Sequence, residues 1–179
     1  MAFNMLYYTH IVSMREWERE MQFTILCVGK IKESYFTNAI KEYIKRLGRY
    51  AKVSVIEVAD EQTPDKASDM EMEQIKEKEA QRLLKHVKDS MYLVALDLKG
   101  KEYDSVAFSD HISNLMLQGK SHIVFVIGGS LGLHSSVLSR ADEKLCFSKM
   151  TFPHQLMRVI LLEQVYRAMR IMNHEPYHK

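Results

Sequence analysis

The chain predicts an α/β fold, a mostly parallel sheet with helices on both faces. Three observations carry that prediction. Strand-like runs alternate with helical patterns along the chain. Several of the runs, FTILCV and HIVFVI among them, hold consecutive apolar residues rather than one at every second position, the mark of strands covered on both faces. The last helix carries apolar side chains all round, so it too predicts burial on two sides.

The elements follow in order. Phe23 to Val28 ends at Gly29 and reads as a buried strand. Ser34 suits an N-cap for a helix to about Tyr50, with Phe36, Ile40, Tyr43, Ile44 and Leu47 at helical spacing. Val53 to Val58 alternates as a half-buried strand does. After the break at Thr63-Pro64-Asp65, the charged stretch Lys66 to Lys88 reads as an exposed helix whose charges form a solvated face. Tyr92 to Leu98 is the next strand, Lys99 to Glu102 a turn, and Ser105 to Leu117 a helix. His122 to Ile127 is the clearest strand, closed by Gly128-Gly129. A short helix from Ser135 to Ala141 and a strand from Lys144 to Phe147 precede the final helix, which opens near Pro153.

The totals narrow the function. A chain of 179 residues suggests one domain with its own core. A net charge of +2 confines any nucleic-acid surface to a local patch. No apolar run reaches a membrane-spanning length, and the expected location is the cytoplasm. Cys27 and Cys146 lie in separate strand-like runs and read as buried free thiols. No CxxC or HExxH pattern supports a metal, and Pro176 keeps His174 and His178 off a shared helical face. Residues 1–20 lack the regions of a secretory signal. They read as an extension, helical near Arg15 to Glu20, upstream of an original start at Met21 and of one domain over residues 21–179.

The segment from Phe147 to Lys179 holds most of the chemistry. In the helix His154–Met172, Met157, Leu161, Leu162, Val165, Ala168, Met169 and Met172 form one apolar face, from within which Arg158 projects. Val159, Ile160, Tyr166 and Ile171 lie on the other side among Glu163, Gln164, Arg167 and Arg170. Buried polar groups on such a helix need partners. The loop Gly128-Gly129-Ser130-Leu131-Gly132 fits a GxSxG nucleophile elbow, with Asp142 and His154 following in hydrolase order, but the spacing is cramped and the chain short for that fold. It is neither a GxGxxG fingerprint nor a P-loop. It remains either a plain strand-to-helix turn or a backbone cradle for a nucleotide-like ligand, at the sheet edge where Leu96 and the loop Phe147 to Phe152 also converge.

From Thr24 to Lys179 the chain resembles the pseudouridine N3-methyltransferases of the large ribosomal subunit, the RlmH type of the SPOUT superfamily. The motifs that carry the resemblance are TILCVGKIKE, HIVFVIGGSLGL and MTFPHQLMRVILLEQVYRAMRI with its PYHK ending. It implies a deep trefoil knot in the C-terminal part, which the general rarity of knots would not suggest. It also implies S-adenosylmethionine as methyl donor, a homodimer, and a pseudouridine of 23S rRNA on the assembled ribosome as target. Carried over residue by residue, the donor site is Leu96, Gly128 and the loop Phe147, Ser148, Lys149, Met150, Thr151 and Phe152.

Methylation at N3 needs a group that manages the N3 proton. The candidate catalytic residues are His154, Arg158, Tyr177 and His178. His178 or Tyr177 is the first choice to contact the base, with Arg158 supplying positive charge to the developing anion or to an RNA phosphate. His154 is the second choice as base and has the alternative of a helix cap. Arg158 has the alternative of holding a buried carboxylate, with Glu163 of the partner subunit as candidate. Lys30, Lys32, Arg158, Arg167 and Lys179 are candidate RNA contacts, with a solvated turn as the plain reading of Lys30-Ile31-Lys32. The rival functions are a SPOUT methyltransferase for another RNA and a non-catalytic ribosome-binding module.

Overall fold

The computed structural model describes residues 21–179; the expectations for the N-terminal extension lie outside them. Five parallel strands form one sheet: β1 (Gln22–Val28), β2 (Lys52–Val58), β3 (Tyr92–Glu102), β4 (His122–Ile127) and β5 (Glu143–Cys146). Their order is β2-β1-β4-β3-β5. The central strands β1 and β4 are the continuously apolar ones, and all but their first residues are buried. Successive side chains leave a strand on opposite faces. Phe23, Ile25 and Cys27 thus enter one core with Phe125 and Ile127, while Leu26 and Val28 enter a second with Val124 and Val126. Both cysteines are buried and free.

Five helices cover the two faces: α1 (Ser34–Leu47), α2 (Asp69–Leu84), α3 (Ser105–Leu117), α4 (Ser135–Arg140) and α5 (His154–Met172). The first core packs beneath α1, α3 and α5, the second beneath α2 and α4. The start of α2 is set by a capping box, in which Ser68 and Glu71 satisfy each other's backbone amides. The expected cap of α1 shifts by one residue, since Glu33 occupies that position without a side-chain cap bond and Ser34 is already helical. No helix among the described residues is long and apolar enough to cross a membrane.

The expected turn at Lys99 to Glu102 is instead part of β3. Leu145 of β5 pairs with Leu96 and again with Lys101, so β3 passes around it between those two residues. A Cβ on Gly100 would stand 2.6 Å from the Leu145 backbone. Only glycine fits so close an approach. The glycine and lysines that look like a turn in sequence are thus what lets two strands wrap.

α5 lies between α1 and α3 over the sheet. Met157, Leu161, Leu162, Val165, Ala168 and Met169 are buried as one face. Ser109 Oγ donates to the Ala168 carbonyl at 3.0 Å, fixing α3 against it. The second face is covered only in part, leaving Val159, Ile160 and Ile171 half-buried within a single chain.

Candidate functional site

The carboxyl ends of β3, β4 and β5 open onto a cavity of ≈ 870 Å³. Its walls are Leu96, Ile127, Leu131, Leu138, Leu145 and Met157, with Gly128 to Gly132 as backbone wall. Ligands of open α/β sheets bind at this edge. The glycine turn is tight: a Cβ on Gly128 would meet the Gly132 carbonyl carbon at 2.8 Å, and Gly132 takes φ +80°. The Gly132 amide closes the turn on the Gly129 carbonyl at 3.1 Å. Bare backbone therefore borders the cavity where side chains would fill it.

The loop after β5 forms the opposite wall. Met150 N donates to Ser148 Oγ at 3.0 Å, and the Cys146 thiol to the Ser148 carbonyl at 3.2 Å. The Phe147 ring stands edge-on to Phe108 of α3, 6.4 Å between centroids. Of the expected donor-site residues, Leu96, Gly128, Phe147, Ser148, Met150, Thr151 and Phe152 line the cavity, and Lys149 does not. An apolar slot with free backbone groups and a polar rim of Asp97, Ser130 and His154 fits a nucleoside carrying a charged tail. Sequence reasoning missed Ile127, Leu138, Leu145 and Met157, whose apolar character signals only core.

His154 opens α5 at the cavity rim. Its Nε2 lies 3.6 Å from the point a Gly29 Cβ would occupy, and Asp60 Cγ lies 3.8 Å from the same point. Burial lowers the His154 pKa, the Arg158 charge lowers it further, and Asp60 opposes. Its imidazole is thereby biased to the neutral form.

Arg158, one turn on, has no exposed surface. Its Nη2 donates to the carbonyls of Val28 and Gly29, each at 2.8 Å, and its Nη1 to Glu57 Oε1. The same Glu57 oxygen accepts the Ile31 amide at 3.2 Å. The expectation that Arg158 reaches a base or phosphate thus meets a guanidinium committed to β1 and β2, and its carboxylate is Glu57 of the same chain rather than Glu163 of the partner subunit. Alternation in β2 marks Glu57 as merely an outward polar residue, which is why the sequence did not expose the pairing.

The tail lies elsewhere. Tyr177 Oη donates to Glu163 at 3.1 Å, and its ring packs edge-on to Tyr166, 4.9 Å between centroids. Burial, with hydrogen bonds to Tyr43 and Glu163, raises its phenol pKa well above the ordinary value. His178 Nδ1 is 3.5 Å from Arg167. Glu163 is nine residues along α5 from His154, roughly 13 Å at 1.5 Å per residue. Within one chain, His154 and Arg158 gather at the cavity end of α5, and Tyr177 and His178 do not join them.

A family model described as a predicted SPOUT methyltransferase matches residues 21–178. The chain belongs to the SPOUT methyltransferase family. Among SPOUT relatives, the ribosomal RNA large subunit methyltransferase H of Clostridium tetani is 61% identical over 159 residues, covering 89% of this chain and 100% of the relative. The protein of that name from Clostridium botulinum is 62% identical with the same coverage. A solved structure, a probable methyltransferase from Bordetella pertussis Tohama I, superposes with TM-score 0.52 at 10% identity, covering 88% of this chain and 99% of that one, a likeness of fold alone.

Proposed function

We propose that the protein is an S-adenosylmethionine-dependent methyltransferase of large-subunit ribosomal RNA, and that its acceptor is N3 of a pseudouridine in 23S rRNA on the assembled ribosome. The carrying observation is the cavity at the sheet edge, framed by nearly all the residues that the family resemblance assigns to the donor. The name of its full-length relatives supports the RNA class. The double pairing of Leu145 by β3 supports the trefoil threading of the family.

Bound in the cavity, S-adenosylmethionine supplies an electrophilic methyl group. Leu96, Ile127 and Phe152 would hold the apolar part of that ligand and exclude water, and the bare backbone of Gly128 would leave room for its polar edge. The N3–H of pseudouridine is a weak acid, so its proton needs an acceptor as N3 takes the methyl group, whose bond to the donor sulfur breaks to leave a neutral thioether. His154 is that acceptor: burial biases it to the neutral form, and it stands on the rim beside Gly29. Arg158 is a positioning residue, holding the end of β1 against α5 and keeping a positive charge beside His154. Tyr177, held protonated, donates a hydrogen bond rather than taking a proton.

The working form is a homodimer. The half-covered apolar side of α5 and the exposed Leu98 and Met150 at the cavity rim are surfaces for a second copy. Such a copy brings the Tyr177 and His178 tail to a cavity that its own chain does not reach. Sedimentation should give twice the chain mass, and calorimetry one class of donor site. Donor binding without methyl transfer to any ribosomal RNA would support the non-catalytic module instead.

A further inference from the structure

We propose that Tyr35, backed by Phe36 and flanked by Lys30 and Lys32, is a stacking platform for an unpaired rRNA base beside the target nucleotide. The proposal rests on the RNA methyltransferase reading above and names how that RNA is held next to the cavity.

Tyr35 is 63% exposed, and among the described residues no other Phe, Tyr or Trp is exposed. It is not loose. Its ring lies 4.4 Å from that of half-buried Phe36, tilted by 55°, at the first turn of α1. An exposed ring held by a second ring presents a ready apolar face.

The platform sits beside the site. The Gly29 amide donates to the Val58 carbonyl at 2.9 Å, and the Ile31 amide to Glu57 at 3.2 Å. Arg158 holds the Gly29 carbonyl from α5, and a Cβ on Gly29 would stand 3.6 Å from His154 Nε2. The loop from Gly29 to Glu33 is therefore held at its start beside His154, a residue of the cavity rim, and at Ile31 against β2. Ile31 packs into the core, while Lys30 and Lys32 point outward on either side of it, without an ion-pair or hydrogen-bond partner among the described residues. Single-stranded RNA is bound by base stacking on aromatic rings together with phosphate contacts to cations. A ring with two free lysines, one short loop from His154, meets both needs. The occupant is an unstacked base of the target stem-loop, with its flanking phosphates on the lysines.

The test is steady-state methylation of ribosomes with donor binding measured in parallel. Tyr35→Ala should raise KM for ribosomes roughly tenfold, the scale of one lost base stack, with kcat and donor affinity unchanged. Tyr35→Gln, a second non-aromatic variant at this exposed position, should do the same, and Tyr35→Trp should restore KM. Lys30→Ala combined with Lys32→Ala should raise KM and flatten its salt dependence. A photoreactive side chain at position 35 should crosslink to rRNA. An unchanged KM in both non-aromatic variants, a loss confined to kcat, failure of Tyr35→Trp to rescue, or crosslinks only to ribosomal protein or to a second copy of the chain would each overturn the platform. An inactive wild-type protein overturns the function reading and the platform with it; an active wild type matched by Tyr35→Ala overturns the platform alone.

Discussion

Arg158 and Glu57 form an ion pair that ties the last helix to the ends of the first two strands. The arginine side chain is fully buried, and its partner carboxylate is 30% exposed. Arg158 also carries the Val28 and Gly29 carbonyls, so one guanidinium fixes the loop below His154. Removing Glu57 leaves a buried guanidinium without its counter-charge, and removing Arg158 leaves the Val28 and Gly29 carbonyls without their donor. Glu57→Gln should cost about 3 kcal/mol in urea unfolding. Arg158→Met should cost a similar amount and also return the His154 pKa toward its ordinary value, measured by NMR titration.

Gly100 faces the Leu145 backbone at a distance that admits no side chain. Gly100→Ala has to push two wrapped strands apart. We expect a loss of about 3 kcal/mol, read as a lower urea midpoint, because backbone cannot yield as a side-chain tip can. Gly119, whose added Cβ meets nothing, is the control for space, although its positive φ still disfavours alanine.

These two contacts mark where the sequence stops being legible. Strand and helix alternation, the buried β1 and β4, and the apolar face of α5 follow from local periodicity, and the structure has them; the second face of α5 is only half covered within one chain. The extension of β3 does not follow, because Lys99-Gly100-Lys101 has turn chemistry and pairs only through β5, more than forty residues on. The Arg158 partner is equally remote, in β2. For the cavity, the family motifs pointed to Gly128 and the loop Phe147 to Phe152, of which Lys149 alone does not line it, whereas Leu138 and Leu145 read as core alone. The tail is legible as polar and compact, but its seat on Glu163 and Tyr166, remote from the cavity, is a packing outcome.

His154 gives a pH dependence with a definite sign. Burial first, and Arg158 second, lower its pKa from 6.5. Below pH 6.5 the unfolded chain binds a proton that the folded chain refuses, so stability falls as pH drops through that window and is unaffected above it. His154→Gln should flatten this slope in denaturation at a series of pH values. In methyl transfer the wild type should hold its rate through neutral pH and lose it on the acid side, and His154→Gln should lose activity without that acid limb.

Truncation after Glu175 removes the Tyr177 contacts to Glu163 and Tyr166 while leaving Glu175 paired with Arg49 and Arg170. Donor binding by calorimetry should survive, because within one chain no tail residue lines the cavity. Methyl transfer should be lost, since the tail serves the site of a second copy. Full activity in the truncated protein would remove the tail from the mechanism. Mixing it with His154→Gln should restore part of the activity, because one mixed dimer then holds an intact rim and an intact tail.

Mass spectrometry of ribosomal RNA after incubation of ribosomes with the protein and S-adenosylmethionine tests the central claim most directly. We expect a single added methyl group on a pseudouridine of 23S rRNA, at N3, absent when the donor is omitted. No methyl transfer, or methylation only of another RNA or another atom, would contradict it.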